Sequence, residues 1–300
     1  MPGWKDVLYE IQGQRPLAPI DAVRRKYLKE LSEKTGRNVI AYYSAWLNQP
    51  RPSPTLIIND EDKNAFMSAV HQLDHNKGLD LILHTPGGDL AAAESIVDYL
   101  RKIFGTDMRA IVPQLAMSAG TMIACACKTI IMGKQSNLGP IDPQLGGIPA
   151  NGVIAEFKKA LKEIKKDPAA VPLWQSIIGK YHPTFLGSCE KSIDWSKSIV
   201  TDWLKTGMLA GDSRAVRKAQ KIVRGLSDSK TTFNHARHIH LDALLDMGLR
   251  IESMEDDQQL QDLILTVHHT FMHTFSMTPA LKIVENQDGV AFVRMATTIG

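Results

Sequence analysis

Apolar and polar positions along the chain follow two periods in turn. Leu79 to His84 (LDLILH) is a near-continuous apolar run, as expected of a strand buried on both faces, and shorter runs at 108–112 and 129–132 repeat it. The intervening stretches, 89–104 and 118–127, switch to the spacing of helices. Strands alternating with helices predict right-handed crossovers and a mostly parallel sheet, hence an α/β fold. Upstream, Asn38 to Trp46 reads as the first strand of the body. Ile20 to Thr35 places Val23, Tyr27, Leu28 and Leu31 on one helical face, with Asp21 as a possible cap and Gly36 as the stop. A proline-rich loop over 48–55 leads to Asn59-Asp60-Glu61-Asp62, which caps a helix running to about Leu73. The loop Gly133 to Asn151 is rich in glycine and proline, and helical patterns follow it over 153–166, 173–178, 189–208 and 213–226. Another covers 239–249, closed by Gly248. The tail reads as a helix over 257–275 and a hairpin, 281–285 with 290–295, turning at Asp288-Gly289. Three units are expected: a helical arm over 1–36, a body over 37–254 and a helix-plus-hairpin extension over 255–300.

The candidate chemistry sits in two of the strand-to-helix steps. In RAIVPQLAMSAGTMIACACK (109–128), Ser118 stands where an apolar run gives way to a helix whose N–H groups and positive dipole end point at the same spot. That suits a nucleophile attacking a carbonyl, and it also suits a plain N-cap. In the other step, strand 79–84 ends in Thr85-Pro86-Gly87-Gly88-Asp89. Paired glycines let a backbone approach a ligand closely and present bare N–H groups, the donors that an oxyanion needs. A helix-entry turn capped near Asp89 is the simpler alternative. The order strand, PGGD, helix, strand, MSAG, helix, with about thirty residues between the motifs, is much more specific than either motif alone.

Composition narrows the class. The 35 basic and 32 acidic residues of this 300-residue chain leave a net charge of +3, which makes no case for a nucleic-acid partner. Lysines are dense between Lys158 and Lys166, as on a solvated helix face. Three cysteines do not make a disulfide framework, and Cys125, Cys127 and Cys189 read as reduced packing residues of a cytoplasmic protein. The first residues, MPGWKDVLYEIQGQ, lack the apolar core of a signal peptide. No apolar run reaches the length of a membrane span, and no metal or nucleotide motif is visible. No cofactor is expected.

HTPGGD at 84–89, AMSAGTMIA at 116–124 and SNLGPIDPQ at 136–144 together resemble the Clp-protease and crotonase superfamily, which includes the signal peptide peptidases. Within it the chain is most similar to the serine dehydrogenase proteinase family, over roughly Val39 to Met254. The resemblance implies a Clp protease/crotonase-like fold and a serine endopeptidase acting on peptide or protein substrates as a homo-oligomer. It makes Ser118 the nucleophile and the N–H groups of Gly88 and Ala119 the oxyanion donors, with Gly87 in support. Clp proteases carry their histidine in the loop after the nucleophile helix, but no histidine occurs here between Thr85 and Tyr181. The serine dehydrogenase proteinase family has the order Ser, Asp, His, which implies Asp142 in GPIDPQ and, from NHARHIH (234–240), His235. The signal peptide peptidases instead pair serine with lysine, which points to Lys180. That lysine would have to be desolvated, and Ile177, Ile178 and Tyr181 flank it. Two other classes share the fold: a crotonase-like acyl-CoA or thioester enzyme without a serine nucleophile, and a non-catalytic oligomeric scaffold.

Overall fold

A computed structural model describes residue 10 and residues 19–49, 53–227 and 236–296. At its centre lies a seven-stranded sheet. In chain order its strands are β1 (Asn38–Ser44), β2 (Leu79–His84), β3 (Met108–Val112), β5 (Thr129–Met132), β10 (Ile251–Ser253), β11 (Ala280–Asn286) and β12 (Ala291–Met295). Their spatial order is β10-β5-β3-β2-β1-β11-β12. The five from β10 to β1 run parallel, while β11 is antiparallel to β1 and β12 to β11. Every residue of β1, β2 and β5 is buried, which is why these runs show no polar alternation.

Side chains alternate between two apolar layers. Ile40, Tyr42, Leu79, Leu81, Leu83, Ala110 and Val112 face one layer. It is completed by helices α2 (Glu61–Val70), α3 (Leu90–Phe104), α4 (Ala119–Cys125), α7 (Phe185–Thr206), α8 (Ala215–Ser227) and α9 (Leu241–Met247). Val39, Ala41, Tyr43, Ile82 and Ile111 face the other layer, under α1 (Pro19–Thr35) and α10 (Gln258–Met277). Two further described α-helices, α5 (Ala150–Lys166) and α6 (Val171–Ile178), lie outside both layers, with Ala150 and Val153 packing on Cys189 and Ile193 of α7.

The arm helix packs on its own chain, and the tail is built into the sheet. Val23, Tyr27, Leu28 and Leu31 meet Ile264, Val267, Phe271 and Phe275 of α10. The fully buried Arg24 pairs with the equally buried Glu285 of β11 and donates to Thr274 Oγ1 at 3.0 Å, while Arg25 Nε reaches Glu285 Oε1 at 2.8 Å. A buried pair of this kind is costly to break from either side, so arm and tail hold each other in place. The loop 133–151 is less irregular than its composition suggests: β4 (Leu115–Ala116), β6 (Asn137–Leu138) and β9 (Ile239–His240) form a second small sheet, and β7 (Gln144–Leu145) pairs with β8 (Ile148–Pro149). The helix predicted over 239–249 therefore starts two residues later, because Ile239 and His240 pair with Leu138 and Asn137.

A histidine cluster lies under the end of β2. His84 is fully buried on the α10 face, its ring centroid 4.3 Å from Trp46, 5.3 Å from Tyr43 and 5.2 Å from His268. Neither of its ring nitrogens has a hydrogen-bond partner among the described residues. Burial holds His84 well below the ordinary histidine range, and lowers His268 to about 3, in each case helped by a neighbouring histidine. Both folded-state pKa values lie below the unfolded one, so the unfolded chain takes up protons first. The stability that depends on their neutral forms is present above about pH 6.5 and lost as pH falls below it, for His268 down to about 3. His268 alone lowers stability by about 2 kcal/mol between about pH 7.5 and 5, and His84 adds to the loss. Urea melts at pH 7.5 and 5.0 should show this loss, and His84→Leu should recover part of it. Equal midpoints at the two pH values would contradict the reading.

Candidate active site

Past His84 the chain turns sharply through Pro86, Gly87 and Gly88 into α3. Gly87 has φ +95° and Gly88 φ +156°. A side chain is barred at both: a Cβ on Gly87 would lie 2.6 Å from Ser118 Cβ, and one on Gly88 would lie 2.3 Å from the Ile58 carbonyl oxygen. Gly88 forms a parallel bridge with Ile58, in which Ile58 N–H donates to Gly87 O at 2.8 Å and Asp89 N–H to Ile58 O at 2.9 Å. In that pattern the Gly88 N–H points away from Ile58, and among the described residues it donates no hydrogen bond. Asp89 caps α3, accepting from Ala92 N–H at 2.9 Å. Helix entry and close backbone approach are thus both present in one turn.

The second motif is tied directly to the first. Thr85 N–H donates to Leu115 O at 3.1 Å and Met117 N–H to Thr85 O at 3.0 Å, so β4 brings Ser118 against the glycine turn. Ser118 sits at the N-cap position of α4 with φ +51° and ψ −117°, and its side chain caps nothing. A non-glycine residue in that region costs about 1–3 kcal/mol, a strain that the surrounding backbone bonds must sustain. Its effect is to lift a half-buried hydroxyl off the helix end instead of folding it back onto the Thr121 or Gly120 amide. The Ala119 N–H, next in the chain, also donates to no described residue.

The loop carrying Asp142 is fastened at several points. Thr121 Oγ1 donates to Ala116 O at 2.8 Å and accepts from Gly139 N–H at 2.9 Å, which locks the loop to the strand leading into Ser118. Ile141 N–H donates to Leu226 O at 3.0 Å, and Ser196 Oγ donates to Ile141 O at 2.8 Å. Asp142, only 6% exposed, follows directly. Ser118, Gly87, Gly88, Ala119 and Asp142 line one cleft of about 610 Å³. Its walls come from Ile57, the β7–β8 turn and Ser192, Trp195 and Ser196 of α7. Asp89 and Asp142 are the charged groups among the described lining residues. No described group of three or more His, Cys, Asp or Glu side chains is arranged to hold a metal ion.

The other sequence candidates fall elsewhere. Lys180 is exposed in the turn after α6 and does not line the cleft; the flanking apolar residues do not desolvate it. His235 lies outside the described residues. His238 and His240, just beyond it, are exposed. Sequence reasoning missed Ile57 and Ile58, whose trace was the three-residue apolar run Leu56-Ile57-Ile58 after the prolines. It also missed Trp195, a large apolar residue left 41% exposed on a helix that is otherwise buried on one side.

Residues 17–274 match the family described as ClpP-like SDH-type serine proteinase. Two proteins of Methanocaldococcus jannaschii, both carrying only the name uncharacterized protein, are similar over most of their length. MJ0137 is 30% identical over 236 residues, 78% of this chain and 75% of the relative. MJ1495 is 26% identical over 235 residues, 77% of this chain and 72% of the relative. No described helix is long and apolar enough to cross a membrane. With its parallel sheet, its glycine turn and its serine step all inside the matched span, this chain belongs to the ClpP-like SDH-type serine proteinases.

Proposed function

We propose that the chain is a serine peptidase that cleaves peptide bonds through an acyl-enzyme on Ser118. The observation that carries this reading is the strained, uncapped Ser118 at the mouth of a cleft shared with Gly88 and Asp142. In this mechanism Ser118 Oγ attacks the scissile carbonyl carbon while His235 takes the hydroxyl proton. The carbonyl oxygen becomes an oxyanion held by the N–H groups of Gly88 and Ala119. His235 then passes the proton to the leaving amine, and water, deprotonated by the same imidazole, hydrolyses the ester. Asp142 orients the imidazole. The role given to His235 is supported by the segment just after it, since Ile239 and His240 pair with the strand that leads into the Asp142 loop. Three buried thiols, none in a disulfide, support a cytoplasmic setting.

Treatment with a fluorophosphonate should place one phosphonyl group on the peptide containing Ser118, and a competing peptide substrate should slow the reaction. A folded protein that resists labelling would favour the thioester enzyme or the scaffold instead. Self-association belongs to the same reading. Among the described residues strand β12 is an edge of the sheet with Val293 and Met295 exposed, and Leu161 and Leu173 on α5 and α6 are each 62% exposed. Light scattering is expected to give a multiple of the single-chain mass, and the mass of one chain across micromolar concentrations would remove this part of the proposal.

A further inference from the structure

Gly88 owes its place to Ile58, and Ile58 is held by the tail. Lys282 of β11 has a side chain only 3% exposed, and its ammonium donates to Ile57 O at 2.7 Å and to Asp62 Oδ1 and Oδ2 at 2.8 and 3.0 Å. Asp62, equally buried, also accepts from Tyr42 OH at 2.8 Å and from Asn59 N–H at 3.0 Å. Next to them Ser44 Oγ donates to Leu56 O at 2.6 Å. Leu56 and Ile57 are therefore fastened to the sheet, and Asn59 to Asp62 of α2. Residue 58 makes both of its backbone bonds to the glycine turn on the other side. Gly88 has no slack against this segment, since even a Cβ would overlap the Ile58 backbone.

We propose that Lys282 and Asp62 are a positioning pair for the oxyanion site: through Ile57 and Asn59 they clamp residues 57–59 against Gly87–Asp89 and thereby set the direction of the Gly88 N–H. The proposal rests on the peptidase reading given above. Its chemistry is general. An oxyanion donor acts only when it meets the developing charge at about 2.7–3.1 Å. Misplacement by about 1 Å costs on the order of a hundredfold, even when its cause is far from the reacting atoms. An ammonium suits the task because it has three donors on one atom, enough to grip a main-chain carbonyl and a carboxylate at once. The C-terminal hairpin thus acts on the site without touching substrate.

Lys282→Met leaves Asp62 as an unpaired buried carboxylate and would confuse positioning with unfolding. The informative protein is Lys282→Met combined with Asp62→Asn, which removes both charges, keeps an acceptor for Tyr42 and Asn59, and frees Ile57 O. Lys282→Arg provides a rescue. The measurements are kcat and KM on a peptide, the rate of fluorophosphonate labelling, the unfolding midpoint, and amide hydrogen exchange at Ile58 and Asp89. The folded double variant should lose about a hundredfold in kcat with KM changed by less than about threefold, and labelling should slow in parallel. The Ile58 and Asp89 amides should exchange about tenfold faster relative to Leu81 and Ile111 in the sheet. Lys282→Arg should restore part of each loss. A folded double variant with wild-type kcat overturns the proposal, as does exchange raised evenly through the sheet, which marks a merely structural pair. A wild-type protein that is neither labelled nor active sinks the peptidase reading instead, and the exchange rates at Ile58 and Asp89 then decide alone whether the pair holds the Gly88 strand.

Discussion

Ser118→Ala is expected to lower peptide hydrolysis by about a millionfold, the scale seen when a serine nucleophile is removed from a working triad. What remains should be a weak rate from the oxyanion donors and substrate binding alone. The same substitution should leave the fold almost untouched, because the hydroxyl it deletes makes no capping bond and alanine tolerates φ +51° no worse than serine does. These two effects have to appear together. If Ser118 were an ordinary N-cap, alanine would lower stability by about 1 kcal/mol and leave any activity alone. Activity on casein or a peptide library, thermal unfolding and fluorophosphonate labelling of the purified variant measure all three quantities. Wild-type turnover in Ser118→Ala would falsify the nucleophile assignment.

The parts of this site that could be read in the sequence are those where chemistry and local structure coincide. A buried strand ending in PGGD and a short apolar run ending in MSAG each combine an element boundary with residues that leave backbone N–H groups bare. Both boundaries lie within one or two residues of those expected from the pattern. The conformational facts that make the site were not legible. Nothing in MSAG distinguishes a serine that caps from one held off the helix with φ +51°; that difference comes from Thr85 binding Leu115 and Met117 across thirty residues of chain. Lys180 shows the converse. Its neighbours Ile177, Ile178 and Tyr181 look desolvating in a list of residues, yet α6 lies outside the apolar layers and leaves the lysine in water. The tail was legible as a helix and a hairpin, but not its place. Strand β11 pairs with β1 across more than two hundred residues, and only that pairing puts Lys282 beside Asp62 and Glu285 beside Arg24. Long-range pairing leaves no periodic trace in the strand that makes it.

Asp142→Asn is expected to cost about ten-thousandfold in kcat, because the imidazole it orients would lose the partner that fixes its tautomer. His235→Ala should be nearly as damaging as the loss of Ser118, and Lys180→Ala should change little, since Lys180 is exposed and does not line the cleft. If lysine were the base the order would invert, with Lys180→Met inactive and Asp142→Asn mild. The pH profile supplies an independent arm. With histidine as base, kcat/KM should rise through an apparent pKa of about 6 to 7. The buried His84 and His268 complicate that limb, because protons taken up by the unfolded chain also reduce the folded fraction below about pH 6.5. The two causes separate by circular dichroism at each pH: a base that titrates in the native state lowers the rate while the folded fraction is unchanged, whereas acid unfolding lowers both. The variants need the same control, since Asp142 is nearly buried in a loop that Ile141 ties to α7 and α8. Near-wild-type activity in a well-folded His235→Ala would refute the histidine assignment, whatever Lys180 does.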